Sequence, residues 1–364
     1  MIVKINLKSV QQKLAAQLKQ QTQLKQTAQL KQRVQDFSVQ YAIYFVFIAL
    51  VLIITIKEPS FLSLHNFRNI LSMSATRVIF AMGMGAVLIT GGVDLSAGRM
   101  VGMAAVLSAS LLQTADYTRR MYPDLVVLPL IIPILLAMIV CGIFGFVNGV
   151  IVSKLKVPAF IATLGTMVAV YGATSLYFDR PPYGAQPIGG LDERFSKLGT
   201  GYIGFDGVYS IPYIVIIAIL VTVITWILFN KTTYGKNIYA IGGNAEAARV
   251  SGVNVGRTLI LVYTIAGICY GLGGSLEAAR TGGATNNYGN GYELDAIAAC
   301  VVGGVSNLGG IGTVPGIVIG VLIFSVINYG LTFINMSPYW QQIVKGAIII
   351  IAVALDIRKH LARR

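Results

Sequence analysis

Ten stretches dominated by apolar residues recur along the chain, near 41–56, 69–90, 95–113, 126–152, 157–177, 211–229, 257–279, 292–305, 312–334 and 338–356. Most reach the roughly 17–25 residues that a helix needs to cross a bilayer. The stretch at 292–305 is short, and only a glycine-rich join at 90–98 separates the second from the third. The pattern predicts an all-α integral membrane protein with about ten transmembrane helices in a membrane domain over 41–356. An even number of crossings puts both ends of the chain on one side.

Polar segments punctuate the pattern. A Gln/Lys-rich arm occupies 1–40 and carries the near-repeat "QLKQQT QLKQTA QLKQ". A six-residue step turns 240° on a helix, so Leu18, Leu24 and Leu30 share no face. The arm reads as a solvated extension. The stretch 178–210 contains Pro181, Pro182 and Pro187 among many glycines and nearly balanced charges, which predicts a loop. A second polar stretch covers 230–257, and a basic tail covers 357–364. Within the spans, small residues recur four apart: Gly98/Gly102, Gly145/Gly149, Gly267/Gly271 and Gly312/Gly316/Gly320. That spacing lets helix backbones approach closely in lipid.

Composition closes off the soluble classes. Of 364 residues, 55% are hydrophobic and 12% charged, too little polar surface to cover a water-soluble core of this size. The formal charge of +14 orients the chain. Segments 1–36, 153–156, 230–257 and 356–364 carry +6, +2, +3 and +3, which together account for all of it. By the positive-inside rule this side is cytoplasmic, with both termini; the loop at 178–210 then lies outside. The basic balance thus reports topology, and no basic face with interleaved aromatics suggests nucleic acid. The first 36 residues lack the apolar core of a cleavable signal, so Tyr41 to Ile56 is expected to act as the insertion signal.

Chemistry-bearing residues are sparse. Cys141, Cys269 and Cys300 sit in apolar stretches as small hydrophobes, and His65 and His360 are too scattered for a metal. No phosphate-cradling G-x-x-x-x-G-K-[ST] occurs, so ATP and magnesium, if used, belong to another chain. No catalytic constellation is expected, and no cofactor on this chain. Ionisable residues within spans are costly and default to function: Arg77, Glu277, Glu293, Asp295 and Lys345. Asp94 follows Gly91 and Gly92; it reads either as a helix cap or as part of a broken helix lining a path. Asn286, Asn287, Glu293 and Asp295 cluster at the start of the eighth span, where they either hydrogen-bond the hydroxyls of a ligand or pair with Arg280. Asn307 and its neighbouring glycines mark a second broken turn, expected to belong to a gate. "GGV" occurs at 91 and at 303, but both copies run the same way through the membrane, which argues against pairing them in an inverted repeat.

One polar segment stands apart: "GGNAEAARVSGVNVG", 242–256. Asn244 suits a helix N-cap, Glu246 the first turn and Gly252 a left-handed end. The intervening two turns are unstable alone. Ala245, Ala248, Arg249 and Gly252 share one face, with Ala247 beside them, shaped to slide into a groove of another protein. The plain alternative is a capped helix lying on the membrane surface.

The stretch "GKNIYAIGGNAEAARVSGVNV" resembles the cytoplasmic loop of bacterial ABC importer permeases of the ribose, galactose and branched-chain amino acid group. "GGVDLSAGRMVG", "VPAFIATLGTM", "YELDAIAACVVGGVSNLGGIGTVPG" and "PYWQQIVKGAIIIIAVALD" are similar to that group's stretches in the same order, covering nearly everything after residue 40. The resemblance implies a five-plus-five inverted repeat, two copies forming a pathway, and the short helix at Asn244–Gly252 as coupling helix to a cytoplasmic ABC ATPase. It also implies a periplasmic sugar-binding protein as partner and a monosaccharide, galactose or its methyl glycoside, as cargo. An ion-coupled secondary sugar transporter is the alternative. The Gln-rich arm has no counterpart in the resemblance.

Overall fold

The computed structural model describes residues 47–182, 184–204 and 210–361, and all packing considered below lies within 51–364. The N-terminal arm falls outside the described residues. The helices are α1 (Phe47–Lys57), α2 (Leu64–Ile89), α3 (Ala97–Leu111), α4 (Ile131–Ser153) and α5 (Ala159–Phe178). Then come α6 (Glu193–Thr200), α7 (Tyr213–Lys231), α8 (Thr233–Gly243), α9 (Ala245–Val250) and α10 (Val255–Thr281). The chain ends with α11 (Tyr292–Val302), α12 (Val314–Phe333) and α13 (Pro338–Leu361). Every predicted apolar stretch holds a helix, but only six described helices are long and apolar enough to cross a membrane: α2, α4, α5, α7, α10 and α12. The count of ten crossings is therefore not reproduced. α3 and α11 have only 15 and 11 residues, about 22 and 16 Å against an apolar layer of about 30 Å.

Burial sorts the helices. The apolar stretch of α2 is 78% buried, whereas that of α7 is 22% buried. α2, α10 and α12 form the inside, and α4, α5 and α7 turn Ile, Leu and Val outward, as a lipid-facing shell does. With lipid as solvent, burial of apolar surface does not drive such helices together; close packing does. Accordingly α10 crosses α4 where Gly145 and Gly149 meet the backbone of Tyr263 and Ile260, and Gly267 and Gly271 meet that of Cys141 and Met138. A methyl group at any of these four would overlap a neighbouring main chain. The four-residue spacings read from sequence thus mark real crossings. Gly316 and Gly320 seat α12 on Gly303 and Ala299 of α11 in the same way.

The stretch expected to be a loop, 178–210, is more ordered than its prolines and glycines suggest. It contains α6, capped by Asp192, whose carboxylate accepts from Arg194 N at 2.8 Å. Phe195 of α6 is fully buried, and Gly199 lies against the backbone of Ala279 and Arg280 at the end of α10. Strands β1 (Tyr202–Ile203) and β2 (Ile211–Pro212) pair antiparallel before α7. The Arg194 guanidinium beside Asp192 holds its carboxyl below the usual carboxylate range. The tail expected from 357 likewise continues α13 as helix through Leu361.

Candidate functional site

The chain has two polar regions where regular structure breaks. The first is a foot made of α8 and α9. Asn244 Oδ1 accepts from the amides of Glu246 and Ala247, each at 3.0 Å, and starts α9 as its sequence predicts. At the other end Gly252 takes a left-handed φ of +86°. There Gly252 N donates to Arg249 O and Val253 N to Ala248 O, both at 3.0 Å, the paired bonds of a Schellman ending. Arg249 and Glu246 pair at 2.8 Å on the exposed side. The face expected to enter a partner needs correction: Ala248 is buried and Ala245 half-buried, both turned into the protein. What faces outward is Glu246, Ala247, Arg249, Ser251 and Gly252, with Val250 at 89% exposure. The reason is that α9 packs its alanine side against α8 and α10.

α8 anchors this foot. Tyr239 donates to Gly312 O at 2.9 Å, and Gly310 N donates to Ile89 O at 2.8 Å. A side chain on Gly242 would overlap both Ile89 O and Gly310 N. Gly309, at φ +91°, lies against Gly242 O and Gly91 N. The end of α2, the start of the foot and the loop between α11 and α12 therefore touch backbone to backbone. Both "GGV" turns, at 91 and 303, lie at this end of the molecule. Asn307 sits half-buried in the loop between α11 and α12.

The second region is the junction of α3 and α11. α3 hangs from the opposite, α6-bearing face: Asp192 N donates to Leu112 O at 2.7 Å, and Gln113 bonds Gly189 O. α11 rises from the foot face, where its C-terminal turn at Gly303 and Gly304 leads into the loop that meets α8. Being short, the two helices stop inside, and their N-terminal ends meet. A methyl group on Gly98 would overlap Gly289 O and Glu293 Oε2, and one on Gly102 would overlap Tyr288 O. Gly289 itself has φ +76° and lies against Gly98 O. Arg99 spans the contact, donating to Asn290 Oδ1 at 2.9 Å and Asn287 Oδ1 at 3.3 Å, and lies 4.3 Å from the ring centroid of Tyr171 on α5. Asn286 reaches Ser175 of α5 at 3.4 Å.

The carboxylates divide by surroundings. Glu293 Oε2 is buried and has no hydrogen-bond partner among the described residues. Asp295 pairs with Lys345 of α13 at 3.1 Å. Arg280, the partner considered for both, instead makes a bidentate pair with Glu277 at 2.7 and 3.0 Å, and Glu277 also accepts from Thr76 at 2.6 Å. A three-residue step on α10 brings Glu277 to Arg280, which no residue of α11 matches. Asp94 is fully buried, inside the packing rather than on an open surface. A chain of donors converges on it: Thr166 to Asn148 at 2.6 Å, Asn148 to Ser96 at 3.0 Å, then the Ser96 hydroxyl and amide to Asp94 Oδ1. Asp94 therefore precedes the cap position, which is Ser96, and fastens the turn at Gly91 and Gly92 to α4 and α5.

Sequence reasoning found Asn286, Asn287 and Glu293 but not Arg99, Tyr171 or Asn290. Arg99 sits in a predicted span yet was passed over beside the more conspicuous Asp94. Tyr171 carries no signal among 18 tyrosines. Among the described residues no group of three or more His, Cys, Asp or Glu is placed to hold a metal.

Comparison with known proteins adds what geometry leaves open. Residues 66–353 match the model of the branched-chain amino acid transport system / permease component family. The galactose/methyl galactoside import permease protein MglC of Haemophilus influenzae is 51% identical over 329 residues, 90% of this chain and 97% of its own. Its Escherichia coli counterpart is 52% identical over 322 residues, 88% and 95% of the two chains. The ribose import permease protein RbsC of Bacillus subtilis is 36% identical over 312 residues, 85% and 90%. No solved structure matches. Six membrane-length helices together with a family match over most of the chain make this a multi-pass membrane protein, and the chain belongs to the branched-chain amino acid transport system / permease component family of permeases.

Proposed function

We propose that this chain is the membrane subunit of an ATP-driven importer that carries a monosaccharide, galactose or its methyl glycoside, across the bacterial inner membrane. The identity to galactose permeases over nine-tenths of the chain supports the cargo. The observation that carries the mechanism is the exposed, doubly capped α9, bound through α8 to the end of α2 and to the loop after α11. A cytoplasmic ABC ATPase grips Val250 and its exposed neighbours Glu246, Ala247 and Arg249. Because Gly242 is in contact with Ile89 and Gly310, displacement of the foot reaches both broken turns rather than dissipating in a loop. Asn244 and Gly252 fix the shape of α9, while Ala245 and Ala248 seat it.

The translocation path follows the junction: Gly91, Gly92 and Asp94 hold the lower turn, Asn286, Asn287 and Glu293 the upper one, and Asp295 and Asn307 border them. Ten crossing segments arise if α1 to α5 and then α7, α10, α11, α12 and α13 form two halves of opposite direction. Long α2 corresponds to long α10, and short α3 to short α11. In this reading α2 breaks near one face and α10 near the other, as an inverted repeat requires. The halves, and not the "GGV" text, carry the symmetry. A second copy completes the pathway, a periplasmic sugar-binding protein delivers galactose to the α6 face, and both termini are cytoplasmic. ATP and magnesium are held by the ATPase.

The test is uptake into proteoliposomes by this chain assembled with its ATPase and binding protein. Galactose uptake is expected to require ATP and to stop in Val250→Asp. Uptake driven by a proton or sodium gradient without ATP would overturn the reading in favour of an ion-coupled carrier.

A further inference from the structure

We propose that Arg99, Asn287 and Asn290 form a sugar-contacting station midway through the membrane, on the path just described; the proposal rests on that importer reading. Depth comes first. α11 rises about 16 Å from the foot face and α3 descends about 22 Å from the other, so their meeting point lies well inside an apolar layer of about 30 Å. Exposure comes next. Asn287 and Asn290 are exposed and Arg99 is half-buried, so the cluster opens on the surface of the single chain. A guanidinium and two amides at that depth do not face hydrocarbon; polar groups and irregular backbone are tolerated there only beside protein or water. The loop 282–291, with Gly282, Gly289 and Gly291 at positive φ, is such irregular backbone.

The chemistry selects the ligand. Arg99 offers five donors in a plane and commits two of them to the Asn287 and Asn290 oxygens. The amide nitrogens of those asparagines make no hydrogen bond to other described residues, so further donors point outward. A fixed fan of donors with amide oxygens between them matches neighbouring hydroxyls of a neutral sugar. Tyr171, beneath the guanidinium at 4.3 Å, and Gly98, which admits no side chain, hold the fan in place. Glu293, whose buried Oε2 has no hydrogen-bond partner among the described residues, stands within electrostatic reach of Arg99.

Accessibility of one engineered thiol tests this. Asn290→Cys is placed in a Cys269→Ser background, since Cys141 and Cys300 are buried. The assembled importer in membranes is then exposed to a charged, membrane-impermeant thiol reagent. Labelling is expected, with high galactose slowing it several-fold and mannitol leaving it unchanged. Absence of labelling, or labelling indifferent to galactose, overturns the station. In parallel, Arg99→Gln is expected to lower maximal galactose uptake about tenfold, the loss of one charge-assisted hydrogen bond, with Arg99→Lys restoring part of it. Unaltered uptake in Arg99→Gln contradicts the proposal. ATP-dependent uptake by the unmodified complex is measured alongside, so that failure of the importer reading is distinguished from failure of the station alone.

Discussion

The foot and the junction are both breaks in helical structure, yet they are specified in opposite ways. In α9 every determinant is local: Asn244 caps two amides within three residues, and Gly252 and Val253 end the helix with bonds back to Arg249 and Ala248. In the junction nothing is local. Gly98 and Gly102 matter because Tyr288, Gly289 and Glu293, nearly two hundred residues later, occupy the space a side chain would fill. A locally capped helix tolerates change on its exposed side. A junction built on backbone contact does not.

Substitutions separate these two modes. The largest effect belongs to Gly98→Val, whose side chain has no space against Gly289 and Glu293. It is expected to abolish accumulation in the membrane, measured by immunoblot, and uptake with it; overpacking of this kind is among the few causes of very large losses. Next comes Val250→Asp. At 89% exposure its effect on folding is within about 0.5 kcal/mol, so accumulation stays normal. Copurification of the ATPase and galactose uptake are both expected to fall at least several-fold. Asn244→Ala removes a cap worth about 1 kcal/mol and lowers uptake partially, with accumulation near normal. The smallest effect is that of Asp192→Ala, which costs α6 about 1 kcal/mol or less and should leave uptake unchanged while lowering the unfolding midpoint slightly. Because Arg194 depresses the Asp192 carboxyl, that contribution is present at neutral pH and is lost as pH falls through its lowered value. The difference in midpoint between native protein and variant is therefore expected to shrink in acid.

The same contrast explains what the sequence revealed. Apolar runs located the long helices but not α6 or α8, which lie in polar stretches, because a membrane span is encoded by its own residues. The ends of α9 were readable for the same reason. The inward turn of Ala245 and Ala248 was not, since it depends on what packs behind a six-residue helix. Crossing helices were announced by glycines four apart, but the partners of Gly98 and Gly102 lay on a loop with no matching period. Arg280 was considered for Glu293 and Asp295 by position along the chain, whereas the short step on α10 gave it Glu277, and α13 supplied Lys345 to Asp295. Of the four expected crossings missing from the six membrane-length helices, α3 and α11 fall short because they stop where they meet, and the other two, α1 and α13, count as shorter apolar helices over Phe47–Lys57 and Pro338–Ala354 among the described residues.

On this reading the foot and the junction move together, through the contact of Gly242 with Ile89 and Gly310 and onward along α11. The labelling rate of Asn290→Cys in the assembled importer, with and without a nonhydrolysable ATP analogue on the ATPase, tests it most directly. The rate is expected to change with nucleotide when Val250 is native and to become insensitive to it in Val250→Asp. A rate that never responds to nucleotide, or that responds equally in Val250→Asp, would contradict the account.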